Sequence, residues 1–466
     1  MKIVSAGGAA ADLELDEPRH EHCTATRNAC KLCTPLGACL AFRGIEGAIP
    51  FLHGSQGCST YIRRYLISHF REPIDIAASN FSEESAIFGG GVNFNLGVQN
   101  VVRQYRPKMV AVATTCLSET IGEDMKRMVY EYLEEHGTPE HPHLVTVSTP
   151  SYSGTHVDGF HAAVRAVVEK LAAIGPWTQR VNVFPGMVSA ADLRHLREIV
   201  RDFGLPLTLL PDYSDSMDGA TWSEYEKLQA GGTSIKDIVA TGEARLSIEF
   251  GRTLAKFKTA GRYLSENLAV PRVLLGLPVG IGESDAFFRV LEGASGRATP
   301  SEHAKERGRL VDALIDGHKY VFEKRAIVYG EEDLVIGLAS FLNEIGIVPV
   351  LCASGGKSKR LAAGLREAIP ALDARTAVRE GFDFAEMGEL ADSLRPDILI
   401  GSSKGYALAR KLDIPLLRVG FPIHDRIGGQ RVLHVGYRGA LQLFDSIVNA
   451  LLDAKQESST VGYSYL

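Results

Sequence analysis

Along the 466-residue chain an apolar strand-like run, a glycine-bearing turn and an amphipathic helix alternate, in three successive sets. Such alternation constrains a fold strongly, because a strand returning parallel to its predecessor needs a long crossover and a helix supplies one. In the first set "AIPFLH" reads as a strand, "GSQG" as a turn and "CSTYIRRYLISHF" as a helix. "IDIAA" is strand-like, "KMVAVATT" is a buried strand, and "EDMKRMVYEYLEEHG" is a helix. The second set runs "RVNVFPG", "SAADLRHLREIVRDFG", "LPLTLLPD", with Ser189 placed to cap its helix and Gly204 to end it. A third opens with "KRAIVYG", "EEDLVIGLASFLNEIG", "IVPVLC" and continues through "AEMGELADSLRP" and "DILIGSS". The expected fold class is α/β, with three doubly wound Rossmann-like βαβ domains at 26–178, 179–322 and 323–452. An arm over 1–25 precedes them and a tail over 453–466 follows.

Three cysteines stand at bends between these elements. Cys58 lies where the strand "AIPFLH" gives way to a helix, Cys116 directly follows the strand "KMVAVATT", and Cys33 precedes "TPLGA". Ligands of open parallel sheets collect beyond the carboxyl ends of strands, where helix N-termini favour negative charge. A thiol there is expected to have a lowered pKa. Gly37, Gly54 and Gly57 beside the three cysteines are read as making room for the inorganic sulfides of an iron–sulfur cluster. Any one of these thiols is equally well a small buried hydrophobe, and the long intervals between them match no compact ferredoxin run.

Net charge −6, without a long basic block, argues against a nucleic-acid partner. No window of about eighteen apolar residues exists, so no membrane span is expected, and the amino-terminal segment lacks an apolar signal core. Seven cysteines in a chain of this length do not form a secreted disulfide framework, which points to a reducing, cytoplasmic setting.

Several motifs offer chemistry they do not carry. "GGGVNFNLG" lacks the strand, helix and distant acid of a dinucleotide fingerprint, and in "ASGGKSK" Leu351 stands where a P-loop needs its first glycine. Cys30 and Cys33 form a C-x-x-C with no second pair at zinc-finger spacing; Cys23 and Cys30 are left without a metal role. Cys39 and Cys352 fall in apolar runs and are expected in the core. His53 reads as a partly buried, hydrogen-bonded histidine beside the Cys58 loop, and His424 as a residue orienting "FPIHDR". The turn-rich stretch 212–235 is a solvated connection or borders a partner. No hydrolytic triad or paired-carboxylate site is readable.

The words around the thiols resemble the nitrogenase component 1 family, in its β-type subunits and the related NifN-type scaffold subunits. The likeness runs through "CTPLGA", "PFLHGSQGC", "HFREP", "AIFGG", "PKMVAV", "TTCLSETIGED" and "TPSYSGTHVDGF", and resumes at "LRVGFPIHDR" and "HVGYRGALQLF". It implies the three-domain subunit fold of that family. It further implies that Cys33, Cys58 and Cys116 supply half the ligands of a P-cluster (8Fe-7S) shared with an α-type, NifD-like subunit. Ser151 would match the serine that can bind the oxidised cluster, and Tyr61 and Phe88 aromatic positions beside it. Asp312 and Asp316, four residues apart on one predicted helix, would meet Glu72 of a second β-type subunit around a structural cation.

The resemblance implies an α2β2 assembly, an ATP-dependent NifH-like iron protein as electron donor, and an iron–sulfur–carbide cofactor in the α-type partner. Retention of all three cysteines favours a reductase over a NifN-type scaffold. The short segment before Cys33 and the wording "TYIRRYLISHFREPIDIA" are read as departures from the molybdenum β subunit. They point to a nitrogenase-like enzyme such as methylthio-alkane reductase, with the β subunit of a vanadium or iron-only nitrogenase as a further alternative.

Overall fold

The computed structural model describes residues 30–461, so the expected arm and Cys23 lie outside the described residues. Among the described residues thirteen strands form three sheets, one in each of three successive units, and every strand pair is parallel. The first contains β1 (Ala48–His53), β2 (Ala77–Ala78), β3 (Met109–Thr114) and β4 (His143–Val147), in the order β2-β1-β3-β4. The second contains β5 (Val181–Phe184), β6 (Leu207–Leu209), β7 (Leu246–Phe250) and β8 (Arg272–Leu275), in the order β6-β5-β7-β8. The third contains β9 (Arg325–Gly330), β10 (Val348–Ser354), β11 (Ala377–Glu380), β12 (Ile398–Gly401) and β13 (Leu416–Arg418), ordered β11-β10-β9-β12-β13. Helices lie between successive strands, as parallel crossovers require.

The first sheet positions the thiols. β1 and β3 are buried along their whole lengths and pair in register from Ala48 with Met109 to His53 with Thr114. Gly54 and Thr115 therefore leave the sheet side by side. A Cβ on Gly54 would sit 2.0 Å from Thr115 Oγ1, so only glycine lets the two exits run together. Helices α1 (Thr34–Arg43), α2 (Gln56–Phe70), α3 (Glu83–Phe88), α4 (Gly91–Tyr105), α5 (Cys116–Thr120), α6 (Met125–His136) and α7 (His156–Leu171) surround this sheet. α1 and α7 cross closely through glycine: a Cβ on Gly37 would lie 1.6 Å from the His156 carbonyl oxygen, and one on Gly159 2.0 Å from that of Thr34.

Those contacts correct the reading of two glycines. Gly37 serves helix packing and Gly54 the close passage of Thr115; neither opens space at the thiols. Gly57 is exposed and would meet only Ser55 Oγ at 3.6 Å, so it alone leaves room on the thiol side. "IDIAA" pairs over just Ala77–Ala78, and the last helix runs Gly436–Glu457, past position 453 where the tail was expected. Cys39 and Cys352 are fully buried, as their apolar neighbours required. Ser189 caps α8 (Ala190–Asp202), exchanging hydrogen bonds with Asp192.

The units are tied by buried polar contacts. Asp333, near the start of the helix Glu332–Glu344, accepts from the Thr253 N–H at 3.0 Å. Asp192 accepts the backbone N–H groups of His434 and Val435 and, at 2.9 Å, His434 Nδ1. Among the described residues no helix is long and apolar enough to cross a membrane.

Candidate metal centre

All three cysteines sit at helix starts. Cys33 is the extended N-cap residue of α1, Cys58 is the third residue of α2 behind the cap Ser55, and Cys116 opens α5 behind Thr115. Thr115 is anchored twice to β1, its N–H and its hydroxyl both donating to the His53 carbonyl. Ser118 and Thr115 close a capping box around that turn. The Cys116 position is thus fixed by sheet register and by a local cap.

The structure brings Cys33, Cys58, Cys116, Ser151 and Tyr61 together. The Ser151 N–H donates to Cys116 Sγ at 3.2 Å, and the Thr34 N–H, next to Cys33, donates to Ser151 Oγ at 3.3 Å. One serine therefore links two of the thiol loops. Burial pushes the Cys58 thiol up, and the neighbouring Cys33 and Cys116 push it further. The pKa lowering expected at a helix start is overcome for Cys58, because like charges gathered in a half-buried place disfavour ionisation. A group carrying compensating positive charge suits such a set. Tyr61 packs against Tyr65 with ring centroids 4.8 Å apart and planes tilted by 56°, and its phenol is raised by burial and by Tyr65, with Cys33 near enough to contribute.

All three cysteines are free thiols and only partly buried. Leu117 next to Cys116, Tyr152 next to Ser151, and Tyr61 one turn beyond Cys58 are all exposed. Among the described residues no three His, Cys, Asp or Glu side chains converge as a single metal ion requires. Half-exposed thiols spread over three loops, with an N–H···S bond already made to one, fit instead one side of a larger iron–sulfur group.

Other expected residues lie apart. Phe88 ends α3 with 81% of its surface exposed. Asp312 and Asp316 stand exposed on the helix Ser301–Val321. Glu72 follows the end of α2, where burial and then Asp218 raise its carboxyl pKa while the Gly219 N–H lowers it. Cys30 lines an interdomain cavity of about 190 Å³, and burial pushes its thiol up to about 12. His53 is fully buried between the rings of Phe81 and Phe94, and neither ring nitrogen has a hydrogen bond among the described residues. This differs from the hydrogen-bonded histidine expected: the rings occupy its surroundings, and Glu123 Oε2 comes no closer than 3.7 Å to Nε2. His424 is exposed, its N–H donating to Ser403 Oγ.

Sequence reasoning passed over Glu123 and Tyr65. Glu123 is buried and accepts from the Gly90 N–H at 2.5 Å, tying the glycine-rich turn to the Cys116 loop. Its signal was an acid directly after the glycine of "TIGED"; that of Tyr65 was an aromatic pair at i, i+4.

Comparison with known proteins agrees with this arrangement. Residues 33–452 match the family described as nitrogenase component 1 type oxidoreductase. The nitrogenase molybdenum-iron protein beta chain of Clostridium pasteurianum is 35% identical over 438 residues, 93% of this chain and 94% of that one. The corresponding chain of Methanothermobacter thermautotrophicus is 35% identical, with 90% and 93% covered. A chain solved as nitrogenase Cp1 at pH 6.5 superposes with a TM-score of 0.92 at 32% identity, covering 96% of this chain and 98% of that chain. The chain belongs to the nitrogenase component 1 family of oxidoreductases. Within that family it is a nitrogenase-type β subunit. The mutual coverage with the Clostridium chain removes the argument from length, since molybdenum–iron β chains of similar extent exist.

Proposed function

We propose that this subunit holds half of an interfacial P-cluster and relays electrons from an ATP-dependent iron protein to an iron–sulfur cofactor in an α-type partner, within a cytoplasmic α2β2 assembly. The observation that carries this reading is the set of three free thiols opening on one face, linked by Ser151. Cys33, Cys58 and Cys116 would hold the cluster, which would supply reversible electron storage between donor and cofactor. Ser151 fixes the spacing of two loops and donates an N–H to sulfur, and Tyr61 with Tyr65 walls the same face. Glu72, Asp312 and Asp316 would complete a cation site between two β-type subunits.

For the reaction we propose reductive C–S cleavage of small methyl thioethers, supported by the departure of the segment 60–77 from the wording of molybdenum β subunits. Substrate contact belongs to the partner chain. The test is anaerobic purification with the co-expressed partner, followed by iron analysis, Mössbauer and EPR spectroscopy, and turnover of methyl thioethers beside dinitrogen. Two eight-iron clusters per αβ unit with thioether turnover support the proposal. Turnover of dinitrogen alone would overturn the C–S assignment but keep the relay. A single four-iron cluster with a transferable precursor would replace both with a NifN-type scaffold.

A further inference from the structure

Helix α2 begins at the thiol face and ends at His69 and Phe70, in the junction of the three units. A cavity of about 30 Å³ lies there, lined by His69 and Phe70, by Val188 and Asp192, and by Phe421 and His434. Most of the remaining wall is aliphatic.

The two imidazoles are held by different partners. The Ile423 N–H donates to His69 Nδ1 at 2.9 Å, so the neutral ring carries its proton on Nε2 and presents a donor. Asp192 already takes the N–H groups of His434 and Val435, and it accepts from His434 Nδ1 at 2.9 Å. With Nδ1–H given to Asp192, a neutral His434 ring offers its Nε2 lone pair as an acceptor. His434 is 5% exposed, and its Nε2 has no partner among the described residues.

We propose that this cavity holds one water molecule, which accepts from His69 Nε2–H and donates to His434 Nε2. Roughly 10–15 Å³ of accessible space suffices for one water, and such molecules typically serve buried polar groups otherwise unpaired. A cation is refused by the His69 donor, and a metal ion meets the same obstacle. An apolar guest would leave His434 Nε2 unsatisfied. The water completes a path from Ile423 through both histidines to Asp192, joining the far end of the Cys58 helix to the start of α8.

The first test is a crystal structure of the assembled complex at a resolution that shows ordered water. One peak within hydrogen-bond reach of both Nε2 atoms is expected. Empty density there, or xenon entering in pressurised crystals, overturns the proposal. The second test is Val279→Ile, which adds a methyl group to the cavity wall and changes neither imidazole. A hydrated site loses its water peak and the complex melts at a lower temperature; a dry apolar void is filled and the complex melts higher, contradicting the proposal.

Discussion

The backbone N–H of Ser151 donates to the sulfur of Cys116 at 3.2 Å, across thirty-five positions of sequence. The same serine accepts from Thr34 through its side chain. The Cys33 and Cys116 loops are therefore tied to each other through hydrogen bonds of the protein itself. Preorganisation of this kind separates the folding of the chain from the loading of the site.

It follows that Cys116→Ala should leave a folded subunit, because the turn is held by Thr115, Ser118 and the His53 carbonyl and not by the thiol. Iron analysis and EPR of the purified complex should show loss of the eight-iron signal, and turnover should disappear. Full turnover in that variant would remove the relay role.

The glycines should separate cleanly. Gly37→Ala forces a Cβ against the His156 carbonyl and should destabilise the subunit by on the order of 3 kcal/mol, read as a lower melting temperature or lost expression. Gly57→Ala meets nothing closer than 3.6 Å and should melt with the wild type. If Gly57 keeps room for a cluster, its substitution should lower iron content alone.

Stability should also respond to pH through Glu331, which caps the helix Glu332–Glu344. Burial, reinforced by Asp333, pushes its carboxyl up to about 8 from an ordinary value near 4.5. The folded state then binds more protons than the unfolded state between about pH 4.5 and 8. This contribution is fully present below that window and is lost as pH rises through it, by at most about 1.4 kcal/mol per pH unit. Urea midpoints measured across the window should fall with rising pH, and Glu331→Gln should flatten the trend.

Chelation tests the cation site. If Glu72 of one subunit meets Asp312 and Asp316 of another, removal of divalent ions should shift the sedimentation of the assembly from tetramer towards αβ pairs, and Asp312→Asn should do the same. An unchanged tetramer under both treatments would leave Asp312 and Asp316 as solvated surface residues.

Much of this protein was legible before folding. The repeated alternation of strand and helix announced parallel sheets because the side-chain periods of two and 3.6 residues are local properties. The cap at Ser189 and the helix start at Cys58 followed from the same local chemistry, whereas the short helix opening at Cys116 showed only in the structure. What the sequence could not disclose is contact across long separations. Gly37 and Gly54 looked like cluster-side glycines until α7 and Thr115 were seen to fill their space. The Cys58 thiol looked activated by its helix until burial and two neighbouring thiols outweighed it. The sequence by itself determined the elements and the residue types at their ends. Only the tertiary structure decided which of those ends meet, because close packing and electrostatics act through space, and sheet register sets which distant residues become neighbours.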